Sequence, residues 1–374
     1  MASARSTKPR GYLVHALALV LGIAVVVVAS YFFLPAVTSV SYGTQATSTL
    51  MGLLPDKPKP KPTLDIQDYN QRLLALAHVA TSSPWYAAFM DGTVASTTQM
   101  RPLWPIRTVA PKAGAILPFK RIVAYYGNFY SKQMGILGEY DKDIVLDKLR
   151  AEVAAWEAAD PTTPVVPAIE YIDVTAQESA GKDGKYRLRM PDTQIDKALE
   201  YAKEIDGIVI LDIQVGLSSV QEEVPLIRDY LAMPQVHLAI DPEFDMQGTD
   251  KPGEVIGTTD AATVNWAIDY LSELVREYDL PPKILLLHRF TRNMLPGYKD
   301  VKPTPEVQVV VQMDGWGSPA RKKNTYYHVV APEPIQFTGL KIFYKNDLKE
   351  DPPRLLTKEE VLQLTPAPSF IQYQ

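Results

Sequence analysis

The sequence contains no cysteine among its 374 residues. This absence excludes a disulfide framework, a zinc–thiolate site, a cysteine nucleophile and a lipid-modified cysteine. If the protein is exported, its fold therefore depends on a hydrophobic core alone, and a chain of this length can bury a core that is large enough.

Several cofactor and partner signatures are missing as well. No Gly-x-Gly-x-x-Gly turn and no P-loop follows an apolar run, so we expect no cofactor. The chain lacks the His-x-His and His-Glu-x-x-His spacings of zinc enzymes, and we expect no bound metal. The formal net charge is -5, without the concentrated basic face that contacts DNA or RNA, so we expect no nucleic-acid partner.

Charge is also absent from one long stretch, since no charged residue occurs from Gly11 to Pro55. Within it, Leu13 to Leu34 is an almost unbroken apolar run, and about 20 such residues suffice to cross a bilayer as a helix. Basic residues precede the run, and the first acidic residue is Asp56. The positive-inside tendency predicts a cytoplasmic segment 1–10 and a transmembrane anchor 11–34, giving a single-pass protein of the cell membrane with its C-terminal domain outside the cytoplasm. A cleaved signal peptide is the alternative.

The composition changes again after this anchor. Residues 35–64 end in alternating lysine and proline, which predicts a stiff, extended and solvated extracytoplasmic linker. Residues 65–118 begin with apolar side chains at helical spacing from Asp65 to Ala80, and we interpret them as a helical and irregular extension. The remaining residues, 119–374, form the main domain.

The main domain alternates apolar strands with amphipathic helices. This alternation predicts an α/β fold with a parallel sheet, and eight strand units predict a closed (β/α)8 TIM-like barrel. The second half of the predicted barrel is degraded, in the sense that the connections 314–325 and 331–339 are too short to contain full helices. A doubly wound open sheet is the alternative. The eight predicted strands are Arg121–Tyr126, Val165–Ile169, Gly207–Ile213, Val236–Ile240, Ile284–Leu287, Val307–Met313, Tyr326–Val330 and Leu340–Tyr344.

Polar and aromatic side chains follow most of these strands. All strand C-termini of a parallel barrel open on one face, and that face carries the active site. Paired carboxylates cleave glycosidic bonds, because one protonates the leaving oxygen while a second group handles the oxocarbenium-like centre. The candidate catalytic residues are Glu243, Asp241, Asp212 and Asp314. The candidate substrate-binding residues are Tyr125, Tyr126, Glu170, Gln214, His288, Gln312, Trp316 and Tyr344.

The motif Asp241-Pro242-Glu243 follows the strand Val236–Ile240 at once. If the extended conformation persists across Pro242, both acids point the same way. Neighbouring carboxylates repel, so one of them keeps its proton near neutrality, as a general acid must. The alternative is that Pro242 ends the strand and both acids are solvated loop residues.

Structural roles are the alternative for several other candidates. Glu170 and Asp212 could instead be structural polar residues of the barrel core that form hydrogen bonds with their neighbours. His288 fits a hydrogen-bond partner that orients other groups. Asp314 fits a residue that shapes the following turn, and Trp316 fits the core.

The motif Asp241-x-Glu243 after the fourth strand, with Asp314 after the sixth, resembles the Asp-x-Glu and Met-x-x-Asp signatures of chitinase-type glycosidases. This resemblance implies that Glu243 is the acid. It also implies that Asp241 orients a substrate N-acetyl group acting as the internal nucleophile. Val311 stands where the second signature has its methionine.

A broader likeness covers roughly residues 121–330. The phrases Val123-Ala124-Tyr125-Tyr126-Gly127 and Asp314-Gly315-Trp316-Gly317 resemble those of uncharacterised secreted or lipid-anchored bacterial proteins with a glycoside-hydrolase-like TIM barrel. The resemblance implies that fold and a polysaccharide or cell-wall glycan as the partner, without a settled activity.

Three functions stay open at this point. The first is a membrane-anchored glycoside hydrolase that acts on cell-wall or extracellular glycan by carboxylate general acid/base catalysis. The second is a non-catalytic barrel of the cell envelope that binds a glycan or a protein partner. The third is a metal-dependent hydrolase with Asp212, Asp241, Glu243 and His288 as ligands.

Overall fold

The structure is a computed structural model that describes residues 63–93 and 102–374. The predicted anchor 11–34 and nearly all of the predicted linker 35–64 lie outside the described residues. Within the two described ranges, no helix is long and apolar enough to cross a bilayer. The anchor, the linker and the placement at the cell membrane therefore stay predictions.

One nine-stranded sheet forms the centre of the fold, and eight of its strands are parallel and close into a barrel. The strands are β1 Arg121–Gly127, β2 Val165–Ala176, β3 Arg187–Arg189, β4 Ile208–Ile213, β5 Val236–Ile240, β6 Lys283–Arg289, β7 Val307–Met313, β8 Phe337–Ile342 and β9 Phe370–Tyr373. Strand β1 closes the ring because it pairs with both β2 and β9. Strand β3 lies outside the ring, antiparallel to β2. The prediction of a closed parallel barrel is confirmed.

Helices flank the strands along the chain. They are α1 Ile66–Leu76, α2 Pro84–Met90, α3 Ile136–Glu139, α4 Lys142–Ala159, α5 Asp192–Lys203, α6 Val220–Glu223, α7 Arg228–Leu231, α8 Ala261–Glu277, α9 Pro319–Thr325 and α10 Lys358–Leu362. A 3-10 turn at Val224–Ile227 separates α6 from α7. Pro225 explains the interruption, because it has no backbone N–H to continue an α-helix.

The barrel strands are buried on both faces, as their nearly continuous apolar sequences predict. In β1, Val123 and Tyr125 pack outward among the helices, whereas Ile122 and Ala124 pack inside the barrel. Neighbouring residues of a strand point to opposite faces, so every strand contributes to both layers.

The N-terminal extension closes one end of the barrel. Tyr69 and Leu73 of α1, together with Leu117, join the apolar cluster inside the barrel. The side chain of Gln308 in β7 accepts hydrogen bonds from the amides of Ile116 (3.0 Å) and Leu117 (3.1 Å) and donates one to the Leu117 carbonyl (2.6 Å). Because the N-terminal ends of the strands are covered, the opposite end is the open one.

Two of the predicted strands are corrected by the structure. Tyr326–Val330 is a π-helical turn that continues α9, so the strand prediction was wrong. Its buried residues, Tyr326 and Val330, are four apart, which is helical spacing. The strand predicted over 340–344 instead spans Phe337–Ile342, and the strand that completes the ring, β9, was not predicted. The connection from β7 to β8 is therefore helical and longer than expected.

Candidate active site

A layer of polar side chains lies at the C-terminal end of the barrel. Below it, the inward positions of the strands are mostly apolar, for example Ile210 in β4 and Leu286 in β6. The next inward positions of these two strands carry Asp212 and His288, both completely buried. The corresponding polar residues of the other strands are Tyr126, Glu170, Asp241, Gln312, Asp314 and Lys341. The sequence therefore changes from apolar to polar at one level of the barrel, where a parallel barrel carries its site.

A cavity of about 580 Å³ opens directly above this layer. Its wall includes the carboxyl groups of Asp241, Glu243 and Asp314 and the ammonium group of Lys341. Its aromatic lining residues are Tyr126, Phe244, Phe290, Trp316 and Phe343. A concave site with a few converging polar groups among aromatic rings is the usual form of a small-molecule or sugar site.

Pro242 redirects the chain where Asp241 and Glu243 enter this cavity. The residues Pro242–Phe244 form a 3-10 turn, so the extended conformation does not persist across Pro242. Asp241 caps the turn, because its Oδ1 accepts a hydrogen bond from the amide of Glu243 at 3.0 Å. Asp241 is consequently buried, whereas Glu243 is partly exposed to the cavity.

His288 bridges two carboxylates within the barrel. Its Nδ1 lies 2.9 Å from Oδ2 of Asp314 and its Nε2 lies 3.2 Å from Oε1 of Glu170. Burial by itself lowers the pKa of His288, but the charges of Asp314 and Asp212 outweigh it and raise that pKa well above its usual value. In its protonated form His288 donates both hydrogen bonds.

Asp314 is the carboxylate that stays ionised. Burial raises its pKa, but Lys341, with Nζ 3.0 Å from Oδ1, and His288 together hold that pKa below its usual value. A carboxylate oxygen has two lone pairs, so Asp314 can accept further hydrogen bonds from the cavity while it keeps both cations.

The pKa values of Glu243, Asp241 and Asp212 are raised, in contrast to that of Asp314. Burial, supported by the negative charge of Asp314, raises the pKa of Glu243 to about 7. Burial also raises the pKa of Asp241 well above its usual value, and it raises that of Asp212 to about 6. Groups whose pKa values are pushed apart within one site are the usual acid and base partners of an enzyme.

Tyr126 connects these groups below the cavity. Its hydroxyl donates to Oδ2 of Asp212 at 2.8 Å and accepts from Nε2 of Gln214 at 3.3 Å. The ammonium group of Lys341 lies 3.9 Å from the centre of its ring, a cation–π contact. Gln214 also reaches Asp241, with Nε2 3.5 Å from Oδ2. This network fixes the floor of the cavity.

The structure brings only some of the predicted site residues to the cavity. Tyr126, Gln214, Asp241, Glu243, Asp314 and Trp316 line it. Glu170, Asp212, His288 and Gln312 lie underneath with no exposed surface, and Gln312 donates to Oε1 of Gln372 at 2.9 Å.

Tyr125 and Tyr344 do not line the cavity. They point outward, where their hydroxyl groups lie 3.1 Å apart and Tyr344 donates to Glu152 of α4 at 2.9 Å. The outward direction of Tyr125 follows from strand alternation, because its neighbour in β1, Tyr126, points inward. Tyr344 lies beyond the end of β8 and packs with Tyr125 and Tyr373.

Lys341 is the main residue of the site that was not predicted from the sequence. It is the one charged residue of β8. Its neighbours Leu340 and Ile342 pack outward, so the side chain of Lys341 points into the barrel. A lone charge on the inward face of an apolar strand is a usable signal, because burial of an unpaired ammonium group is costly and a partner is required. This signal was not used because the predicted strand, Leu340–Tyr344, put Lys341 near the start of the strand and not near its C-terminal end, where the site lies.

Two groups of ligand atoms among the described residues lie close enough to hold a metal ion, each within 4.8 Å. They are Glu170, Asp212 and His288, and Asp241, His288 and Asp314. Glu243 belongs to neither group. Both groups need a ring nitrogen of His288, yet each nitrogen already lies within hydrogen-bond distance of a carboxylate oxygen. Ligation would require His288 to lose its proton and one of these hydrogen bonds.

No protein-family model matches this chain, and no curated protein matches it. A mannanase from Bacillus subtilis is 14% identical with a TM-score of 0.37, covering 71% of this chain and 88% of that chain. A hyperthermophilic endo-beta-1,4-glucanase solved in complex with substrate is 9% identical with a TM-score of 0.38, covering 68% and 89%. A ruminal GH26 endo-beta-1,4-mannanase is 13% identical with a TM-score of 0.33, covering 68% and 59%. Similarity at this level shows nothing about the activity of this chain.

Proposed function

We propose that this protein is a glycoside hydrolase of the cell envelope that cleaves a polysaccharide by carboxylate general acid/base catalysis. One observation carries the proposal: Glu243 and Asp314 line the same cavity, and their pKa values are shifted in opposite directions. A protonated and an ionised carboxyl group facing one cavity are what glycosidic bond cleavage requires.

Glu243 is the proposed general acid. It is partly exposed to the cavity, and its raised pKa leaves a large protonated fraction near neutrality. It donates its proton to the leaving glycosidic oxygen as the bond breaks, so that the departing sugar leaves as an alcohol.

Asp314 is the proposed ionised partner. Its negative charge stabilises the positive charge that develops at the anomeric carbon, and it accepts the proton that the attacking water loses as the new carbon–oxygen bond forms. Asp212 was the other candidate for this role. It does not line the cavity, and its Oδ2 already accepts from Tyr126, so it supports the site from below.

The proposal is tested with Glu243→Gln, which keeps the shape of the side chain and removes its proton. Release of reducing ends from cell-wall and extracellular polysaccharides should fall by roughly 10²–10⁴-fold. Glu273→Gln is the matched control, because Glu273 is an exposed residue of α8 outside the cavity. Unchanged turnover by Glu243→Gln would refute the assignment.

A non-catalytic glycan-binding barrel is the second candidate. It is favoured by the fact that both oxygens of Asp314 are already engaged, by His288 and by Lys341. It predicts that wild type retains a glycan on an affinity column and forms no product, and that Glu243→Gln retains the glycan equally well.

The metal-dependent hydrolase is the third candidate and is separated by chelation. It requires a stoichiometric ion in protein purified without chelator, and turnover that chelation removes and the ion restores. The carboxylate mechanism requires that turnover persist in the presence of chelator.

Attachment to the membrane is part of the proposal and rests on the apolar segment 11–34. The full chain should stay with membranes after an alkaline carbonate wash, and external protease should digest its C-terminal domain in intact cells. Recovery of the chain in the soluble fraction would contradict attachment.

A further inference from the structure

One wall of the cavity combines an exposed tryptophan with cationic side chains. Trp316 is 44% exposed although it lines the cavity. Arg321 of α9 and Lys341 of β8 line the same cavity, and Lys349 lies in the segment that follows β8. We name Trp316, Arg321 and Lys349 the tryptophan wall; Lys349 lies beside the Trp316 ring but does not itself line the cavity.

Arg321 is held at a fixed place beside Trp316. Its Nη2 lies 2.8 Å from Oε1 of Glu350, whose Oε2 accepts from the amide of Ser318 at 3.0 Å. The guanidinium carbon is 5.8 Å from the centre of the indole ring. A guanidinium has five N–H donors, so the pair with Glu350 leaves donors for an anion in the cavity.

Lys349 adds a second positive charge beside the same ring. Its Nζ is 5.9 Å from the centre of the Trp316 indole. Lys349 is exposed, and none of the ion pairs in the part of the chain that the structure describes includes it. The tryptophan wall therefore carries an excess of positive charge, because Glu350 neutralises only one of its two cations.

One further lysine, Lys132, lies in a cavity next to the main one. This smaller cavity, of about 250 Å³, shares Gln133, Phe343 and Gln374 with the main one. It is lined by Lys132 and by the ion pair of Lys345 with Glu139, 2.8 Å apart, so Lys132 is its uncompensated cation among the described lining residues. The acid Glu243, in contrast, follows β5, three strands away from β8 around the ring. A glycan whose scissile bond lies at Glu243 thus extends its neighbouring ring toward a cationic side of the site.

We propose that the tryptophan wall is a binding subsite for a sugar ring that carries a carboxylate, so that the substrate is an acidic glycan built with uronic acids. The ring packs on the exposed indole, and the carboxylate pairs with Arg321 and Lys349. An arginine fork matches the geometry of a carboxylate, and an aromatic face suits the apolar face of a pyranose. This inference rests on the proposed function and deepens it by naming the substrate class.

The experiment compares ligands that differ in charge alone. Short oligomers of glucuronic and galacturonic acid, and the same oligomers after reduction of their carboxyl groups to alcohols, are titrated into the full-length Glu243→Gln variant by calorimetry. At least one acidic oligomer should bind about tenfold or more tightly than its reduced form, and the preference should shrink as salt rises. Equal or tighter binding of the reduced forms, or no binding of any oligomer, overturns the inference.

Substitutions then locate the carboxylate. Arg321→Gln in this background should remove most of the acidic preference, and Lys349→Gln should reduce it. Arg276→Gln is the control, because Arg276 is similarly exposed and also pairs with a glutamate, yet lies outside the cavity. A preference that survives both Arg321→Gln and Lys349→Gln overturns the inference.

Failure of this inference and failure of the proposed function give different results. If wild type binds acidic oligomers through Arg321 but cleaves none of them, the subsite stands and the hydrolase proposal falls. If wild type cleaves a neutral glycan through Glu243 and ignores acidic ones, the hydrolase proposal stands and the subsite falls.

Discussion

The ammonium group of Lys341 lies 3.0 Å from Oδ1 of Asp314, and both side chains are almost completely buried at the mouth of the barrel. His288 contacts the other oxygen of Asp314 at 2.9 Å. Asp314 is thus a carboxylate held between two cations. Glu243, which faces the same cavity, forms no ion pair with any described residue, and its pKa is raised by burial and by the charge of Asp314.

Removing the ammonium group should make Asp314 a weaker acid. In Lys341→Met we expect the pKa of Asp314 to rise, because an adjacent positive charge favours the ionised carboxylate and the variant lacks it. The acidic limb of the pH–activity profile should move to higher pH by the same amount, because Asp314 must be ionised. Carboxyl 13C NMR titration, with Asp314→Asn to assign the signal, measures the shift directly.

Lys341→Arg is the matched control for this prediction, since it keeps the positive charge in β8. Its NMR titration of Asp314 should stay close to that of wild type. An unchanged pKa of Asp314 in Lys341→Met would show that His288 alone keeps Asp314 ionised, and the role given to Lys341 would be wrong.

The raised pKa of Glu243 predicts the alkaline side of the same profile. A general acid must be protonated, so activity should fall as the pH rises through about 7, the value to which burial and Asp314 raise this pKa. The measurement is kcat against pH on a soluble polysaccharide. A limb near 4.5, the ordinary value for glutamate, would contradict the assignment of Glu243.

Much of the barrel could be predicted from the sequence, because a strand buried on both faces is an apolar run that stands out. β5 and β7 were predicted with the bounds that the structure has. Tyr326–Val330 shows the limit of this signal. Five residues rich in β-branched and aromatic side chains suit a strand, but the same residues also form one buried helical face. β9 was missed because it has only four residues and follows a proline-containing segment.

The candidate site was predictable as far as it depends on strand ends. Asp241, Glu243 and Asp314 follow their strands directly, so the level at which they meet follows from the closure of the barrel. Whether a strand side chain points into the barrel or out of it could not be predicted from the sequence in the same way. Tyr125 and Tyr126 are adjacent and chemically identical, and only the register of β1 against its neighbours decides that Tyr126 points inward.

The buried amine of Lys283 predicts a pH-dependent stability. Burial lowers its pKa from 10.5 to about 7, and its Nζ donates to the carbonyl of Val236 at 2.9 Å. Between these two pH values the unfolded chain binds a proton that the folded chain does not. The free energy of unfolding should therefore rise with pH from about 7 toward 10.5, by at most about 1.4 kcal/mol per pH unit.

Lys283→Met isolates this contribution, because the variant has no amine to titrate. The difference in free energy of unfolding between wild type and variant, measured by urea titration at several pH values, should change with pH in favour of wild type as the pH rises. Lys299→Met, at an exposed position, should leave the pH dependence unchanged. A pH-independent difference for Lys283→Met would mean that this amine titrates near its ordinary value.

Glu223 joins β3 to the barrel through ion pairs with the buried Arg187 and the exposed Arg189, and its loss should destabilise the fold. It is completely buried, with its carboxylate 2.8 Å from Nε of Arg187 and 2.6 Å from Nε of Arg189. Glu223→Gln leaves the buried guanidinium of Arg187 without this anion, although Asp183 still contacts it at 2.8 Å. We expect a loss of about 3 kcal/mol in the free energy of unfolding at neutral pH, the lower end for breaking a buried pair.

Asp147→Asn is the control, because it breaks an exposed pair, and it should cost less than about 0.5 kcal/mol. The pKa of Glu223 is lowered in the folded protein, because Arg189, Ser218 and Arg187 outweigh its burial, so the difference should shrink as the pH falls below 4.5. A loss as small as that of Asp147→Asn would show that this network contributes no more than a surface pair.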